Sequence, residues 1–283
     1  MTATLRLATD ADIRFEHEVF CRAEGELRLR HGFPWVDPPF AWFAVIARHL
    51  LSTDPERCFV AEADGRLVGF SAAFARDGAW FLAALFIHPD HQGRGIGREL
   101  FELAARGAPL RRITITDAIQ PASNSLYAQY GLIPTTPVLQ FEGTPRIDAL
   151  SLLQPDRPAP GELAALDRSG YGFERSVDHE YWSLQRRCTI WRREGAAVAY
   201  AYRGLTGSIG PLVARDQGSA ADALRAELAR TPRASVVIPG SARSMVGVAV
   251  EAHLKLVPPP GNLLLSAEVP APDSLAISGY FLY

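Results

Sequence analysis

Apolar and polar positions in the first half of the chain follow two periods in turn. Residues 5–7, Leu-Arg-Leu, predict a short strand, and Asp10 is placed to cap a helix opening near Ala11. Pro38 and Pro39 interrupt the region between helices. Residues 58–63 and 66–74 predict strands joined through Asp64-Gly65, a dipeptide suited to the left-handed backbone of a tight hairpin. Residues 80–87 are continuously apolar, which predicts a strand buried on both faces. The period then becomes helical over residues 97–106. Ile96, Leu100 and Leu103 recur at i, i+4 and i+7, with Arg98, Glu99 and Glu102 on the other faces. Residues 112–116 predict a β-branched strand, and residues 123–130 a helix stopped by Gly131.

Near the midpoint, Pro155, Pro158, Pro160 and Gly161 can continue neither a helix nor a central strand. They predict a linker over 154–161, between a first domain of residues 1–153 and a second of residues 162–283. The second half weakly repeats the order of the first. Glu194-Gly195 lies between strand-like stretches, residues 210–216 lead into a helix with Ala223, Leu224 and Leu228, and residues 234–238 form a further strand. The closing residues 278–283 look strand-like and would complete a sheet. The expected class is therefore mixed α/β, in two similar halves.

Composition narrows the function. With 29 Lys and Arg against 31 Asp and Glu, the 283-residue chain has a net charge of −2 and no bulk attraction for nucleic acid or anionic lipid. Hydrophobic residues at 48% and charged residues at 21% fit a folded globular protein. The longest apolar run, residues 79–87, is far short of the ~20 residues that cross a membrane. The N-terminal residues show no signal-peptide pattern, and the three cysteines are scattered. A cytoplasmic protein with reduced thiols is expected, with no nucleic-acid or membrane partner. His88 and His91 lack a metal-spaced companion, so no metal is expected.

The chemistry concentrates in residues 87–97, Ile-His-Pro-Asp-His-Gln-Gly-Arg-Gly-Ile-Gly. A buried strand enters a turn with alternate glycines, and the turn enters an amphipathic helix. Glycines let the backbone approach a ligand and adopt positive φ. Amides at the helix start can then hold phosphate oxygens. The dinucleotide fingerprint fails, because Arg98 stands at its third glycine. The nucleotide P-loop fails for want of Gly-Lys-Ser/Thr. A loop that merely starts a helix stays open on these residues alone.

Gln92-Gly93-Arg94-Gly95-Ile96-Gly97 resembles the Gln/Arg-x-x-Gly-x-Gly/Ala signature of the GNAT superfamily of N-acetyltransferases. Ile87-His88-Pro89 resembles the Val-x-Pro that precedes that signature. Residues 123–132, Ser-Asn-Ser-Leu-Tyr-Ala-Gln-Tyr-Gly-Leu, resemble the downstream Leu-Tyr-x-x-x-Gly-Phe element. The likeness covers residues 1–143. It implies a mixed sheet splayed between the strands at 80–87 and 112–116, flanked by helices, with acetyl-CoA in the gap. Backbone groups of Leu85, Phe86 and Ile87 would pair with the pantetheine arm. The amides of Gln92, Gly93, Arg94, Gly95, Ile96 and Gly97 would hold the pyrophosphate. A primary amine, of a small molecule or a peptide, would attack the thioester directly in a ternary complex.

That reaction needs an acid for the departing thiolate and a base for the ammonium acceptor. Tyr127 falls where the superfamily places its tyrosine acid; packing on the core is the other reading. Asp117, at the end of a central strand, is a candidate base or the cap of the following loop. Tyr130 reads as structural. Gln120 replaces the usual asparagine, and Asn124 is a nearby amide for the cofactor arm. Trp35, Phe40, Trp42 and Phe43 form either an acceptor wall or ordinary core, and Glu24 and Glu26 a solvated helix face. In the second half, Ser219, Ala221 and Ala223 take the glycine positions, so this half resembles a degenerate GNAT domain without cofactor. It would pack on the first domain, wall the acceptor pocket or form a homodimer contact. The alternative from another class is a non-catalytic acyl-CoA-binding or regulatory module.

Overall fold

The computed structural model describes residues 3–147 and 152–283. The chain divides into two compact units that interleave in sequence. Unit 1 takes Met1–Thr114, Ile119–Ile133 and Ser266–Glu268; unit 2 takes Ile115–Ala118, Pro134–Leu265 and Val269–Tyr283. Residues 148–151, beside the expected domain limit at 153, lie outside the described residues.

Unit 1 opens with β1 (Thr4–Leu7) and α1 (Ile13–Arg30). Asp10 is not the helix cap. Thr9 is extended, with φ −131° and ψ 166°. The Asp12 carboxylate accepts from the Thr9 amide at 2.8 Å and from its hydroxyl at 2.7 Å. The Thr-x-x-Asp spacing suits this reciprocal box, and Asp10 instead pairs with Arg48 at 2.9 Å. Then come α2 (Phe40–Thr53), β2 (Cys58–Ala63), β3 (Arg66–Arg76) and β4 (Ala79–Ile87). The hairpin turns through Asp64 at φ 53° and Gly65 at φ 72°, as the dipeptide predicts.

Residues 79–84 of β4 are buried, whereas Leu85, Phe86 and Ile87 are half-exposed, so burial on both faces fails over its last turn of chain. The next helix, α3 (Ile96–Ala104), buries Ile96, Leu100, Phe101 and Ala104 against the sheet. Trp80 Nε1 donates to the Ala104 carbonyl at 3.1 Å, and Arg57 Nη1 donates to it at 3.3 Å. A cation and an indole N–H thus satisfy the negative end of the helix. Residues 111–114 of β5 (Arg111–Asp117) and α4 (Pro121–Gln129) complete the unit, with Gly131 at φ 79° ending the last helix. Strands lie in the order β1-β2-β3-β4-β5, all antiparallel except β4 with β5.

Unit 2 holds β6 (Ile133–Gly143), β7 (Gln154–Asp156), α5 (Glu162–Gly170), α6 (Ser176–Gln185), β8 (Arg186–Arg193), β9 (Ala196–Gly204) and β10 (Ser208–Ala214). After them come α7 (Gln217–Leu228), β11 (Ala234–Pro239), α8 (Arg243–Glu251), β12 (Lys255–Leu265) and β13 (Leu275–Ala276). Its strands follow the order β12-β6-β11-β10-β9-β8-β7, and β13 lies on β10. The run β8-β9-β10-α7-β11-α8 repeats β2-β3-β4-α3-β5-α4, as the sequence pattern predicts. α7 and α8 bury Ala223, Leu224, Leu228, Met245 and Val248 on the sheet.

Within 154–161, residues 154–156 are an edge strand, where proline is tolerated. Arg192 fixes it, donating to Asp156 at 2.6 Å and to Glu162 at 2.8 Å. The closing strand is displaced from its expected place. Residues 278–283 are not a strand; the pairing lies just before them, at 275–277. Gly279 at φ 145° breaks the extended run, and the fully buried Arg175 guanidinium gathers the Leu282 and Tyr283 backbone oxygens.

Candidate active site

The sheet of unit 1 opens at one defined rung. β4 and β5 pair in parallel from Ala79↔Arg111 to Leu82↔Thr114, where the ladder stops. The cause sits on β4. Ala72 of β3 faces Ala84, but Ala73 faces Leu82, so Ala83 is an extra residue. Such a bulge bends the strand that carries it and disrupts its ladder. Thr114 Oγ1 donates to the Leu82 carbonyl at 3.0 Å and closes the last rung with a side chain. Residues 83–87 continue with their other edge bare of β5 rungs. On that stretch Leu85 and Ile87 face α3 beside Ile96 and Leu100, and Phe86 faces Phe20 of α1 at 5.0 Å between rings.

The glycine turn follows directly. His88 turns the chain into a short 3-10 segment over Pro89–His91, and its ring accepts from the Asp90 amide at 3.3 Å. Gln92 Nε2 donates back to the Ile87 carbonyl at 3.0 Å, and Arg94 donates to the Asp90 carbonyl at 2.8 Å. Gly93 and Gly95 have φ 73° and 88°, a region closed to side chains without strain. Gly95 caps α3 without any side-chain bond. Among the described residues no protein acceptor takes the amides of residues 93–97, which line an exposed turn. The nearest atom to a Cβ built on Gly95 is Glu99 Oε1, at 3.9 Å. Bare amides at a helix start, beside a strand that has run past its last β5 rung, fit a phosphate joined to an extended arm.

Tyr127 is 3% exposed, with its ring 5.8 Å from Phe101. Burial pushes its phenol well above the ordinary range, with a Ser123 hydrogen bond pulling weakly the other way. Tyr130 packs on Phe101 at 4.5 Å and bonds Glu102, stapling α4 to α3. Gln120 caps α4, its side chain accepting from the Ala122 amide at 3.2 Å. Asn124 Nδ2 donates to the Gln120 carbonyl at 2.7 Å. Both amide side chains therefore have work inside the helix start. Asp117 is buried at 6% exposure, and its segment, 115–118, belongs to unit 2 by contact. Leu85, Phe86, Ile87, residues 92–97, Tyr127 and Asn124 all belong to unit 1, whereas Asp117 falls in unit 2.

Near Phe86, Phe20 meets Phe43 at 5.6 Å and Trp35 at 6.0 Å, while Phe40 and Trp42 are 41% and 46% exposed. Glu24 pairs with Arg28 at 2.6 Å and Glu26 pairs with Arg30, so both serve their own helix face. Sequence reasoning missed Ala83 and Thr114. A bulge has no local signature, and the threonine matches any β-branched strand residue. Among the described residues no metal-binding cluster is present and no helix is long and apolar enough to cross a membrane.

Comparison with known proteins follows the geometry. Residues 54–131 match the GNAT acetyltransferase domain family. The matched stretch lies almost wholly within the first unit. The whole chain has the tandem form of that fold. It superposes on a candidate acetyltransferase of Pyrococcus horikoshii with TM-score 0.78 and 17% identity, covering 100% of this chain and 96% of that one. A GCN5-related N-acetyltransferase of Sphaerobacter thermophilus gives 0.64 and 13%, covering 96% and 97%. A tandem GNAT protein of the clavulanic acid biosynthesis pathway gives 0.55 and 16%, covering 93% and 97%. No curated protein matches the chain.

Proposed function

We propose that the protein is an acetyl-CoA-dependent N-acetyltransferase that acetylates a primary amine by direct attack in a ternary complex, with its working site in unit 1. The observation that carries this reading is the end of the β5 rungs at Leu82, after which β4 runs on through 83–87 straight into the bare amides of 93–97. An extended arm pairs with residues 83–87 and a pyrophosphate with the amides. When bound, acetyl-CoA supplies the acetyl group as a thioester. Leu85, Phe86 and Ile87 hold its arm through the backbone and orient the carbonyl, Gly93 and Gly95 keep side chains out of the phosphate cradle, and Gly97 lets α3 sit against Ile87.

Tyr127 supplies the proton for the sulfur that leaves as the amine nitrogen bonds the carbonyl carbon. Its buried, strongly protonated phenol arrives with that proton in place. Asp117 is the proposed acceptor, directly or through water, for the proton the ammonium nitrogen must lose. Asn124 and Gln92 belong to the cofactor side of the site, Gln92 by pinning the turn to the strand end. Calorimetric titration of the full chain with acetyl-CoA, followed by an amine panel assayed for thiol release, tests the reading. Binding with turnover on any amine supports it. Binding without turnover across the panel points to a non-catalytic acyl-CoA module, and absence of binding removes the cofactor site.

A further inference from the structure

Unit 2 repeats the opening of unit 1, with two parallel rungs in place of four, and its own chain fills it. In unit 2 the parallel rungs are Ser208↔Ser235 and Ile209↔Val236. The register of β10 with β9 then shifts between Ile209 and Leu212, with the extra residue again on the strand that leaves its parallel partner. Ala201 faces Leu212 there, as Ser71 faces Leu85 in unit 1. Leu212, Val213 and Ala214 therefore stand where Leu85, Phe86 and Ile87 stand.

Residues 274–277 run along that edge. Leu212 pairs with Ala276 and Val213 with Leu275, and the Ala214 amide donates to the Ser274 carbonyl at 3.0 Å. On the facing strand, the Ile277 amide donates to the Val237 carbonyl at 2.9 Å. Leu275, Ala276 and Ile277 are 0–1% exposed. Gly210 makes room for them, since a Cβ there would fall 2.4 Å from the Ile277 carbonyl oxygen. The helix start differs in the same sense. α3 begins on bare amides, whereas at α7 the Asp216 carboxylate accepts from the Ser219 amide at 2.8 Å and from its hydroxyl at 2.9 Å. Arg175 tethers the far end of the segment through the Leu282 and Tyr283 oxygens.

We infer that unit 2 carries a built-in replacement for acyl-CoA. Residues 274–277 lie in the place of the pantetheine arm and the Asp216 carboxylate in the place of a phosphate, so the second fork is closed from within. The comparison with acyl-CoA rests on the cofactor reading of unit 1; the occupancy of the fork rests on the hydrogen bonds of unit 2 alone. Physically, an extended peptide offers the same alternation of N–H and C=O along a strand edge that two amides of a pantetheine arm offer more sparsely.

Hydrogen–deuterium exchange of the full chain, with and without saturating acetyl-CoA, tests this. Amides of 275–277 and 212–214 should exchange as slowly as those of β9 and stay unchanged on addition of acetyl-CoA, while amides of 93–97 slow at least tenfold. Fast exchange at 275–277, or its deprotection by acetyl-CoA, overturns the inference. A silent 93–97 turn with slow 275–277 amides sinks the cofactor reading and leaves the occupancy standing. Ile277→Pro removes the donor to Val237 and should speed exchange at 212–214 at least tenfold; unchanged exchange there also overturns it.

Discussion

Gly93 and Gly95 hold the two positive-φ positions of the turn, and a Cβ on either would meet at most Glu99 Oε1, at 3.9 Å from Gly95. A side chain at Gly95 costs roughly 1–2 kcal/mol in the left-handed region and projects into the cradle. Gly95→Arg should therefore abolish acetyl-CoA binding in calorimetry, with only a modest loss of melting temperature. Tyr127→Phe keeps the ring packed on Phe101 and removes the proton. Turnover should fall on the order of 10²-fold, the scale of general acid catalysis, with the acetyl-CoA dissociation constant unchanged. Unaltered turnover would take Tyr127 out of the mechanism. Glu16 makes a pH prediction. Burial, reinforced by Asp12, raises its carboxyl from 4.5 to about 8. The folded state holds the proton more tightly than the unfolded state, so its contribution is complete below 4.5 and is lost as pH rises through about 8. Melting curves of wild type and Glu16→Gln should therefore diverge to the disadvantage of wild type between those limits. The glycine turn was legible in sequence because its chemistry is local spacing. The burial of Glu16 was not, because it depends on how α1 lies on the sheet.

At the scale of elements, caps and interruptions set where the chain changes direction. Thr9 and Asp12 reciprocally start the 3-10 turn, residues 10–12, that leads into α1, and the Asp12 carboxyl is held down to about 2, first by Arg6 and then by Thr9. Its contribution is present above 3.8 and is lost as pH falls through about 2. Asp12→Ala should cost roughly 1 kcal/mol as a lost cap, more with the Arg6 pair, read by chemical denaturation at pH 7. Asp10, equally eligible by residue type, lost the role because its neighbour Thr9 has the extended backbone a cap requires. The misplaced final strand has a similar cause. Residues 278–283 are apolar enough for a strand, yet Gly279 turns the chain and Arg175 collects its last oxygens. Arg175 is wholly buried and shares Asp178 at 3.0 Å. Arg175→Ala strands that carboxylate and should destabilise unit 2 by about 3–5 kcal/mol.

At the scale of the molecule, the repeated order of elements could be read from pattern, because hairpin turns and helix periods recur in both halves. The interleaving of the compact units could not, since pairing between distant strands leaves no local trace. The proposed working site and the filled fork predict a single acetyl-CoA per chain by calorimetry, and a measured ratio of two would contradict the filled fork. The opening itself has an origin that side chains do not control. Ala83 sets it by being one residue too many, and a register counts residues without regard to their identity. Substitutions around the slot can accumulate freely while its width stays fixed. A deletion of that one residue would leave Leu85, Phe86 and Ile87 on their β3 partners but remove the bulge and let the strands zip onward. Loss of the activity by that route would arrive in one step, from a change that a catalogue of altered side chains would pass over.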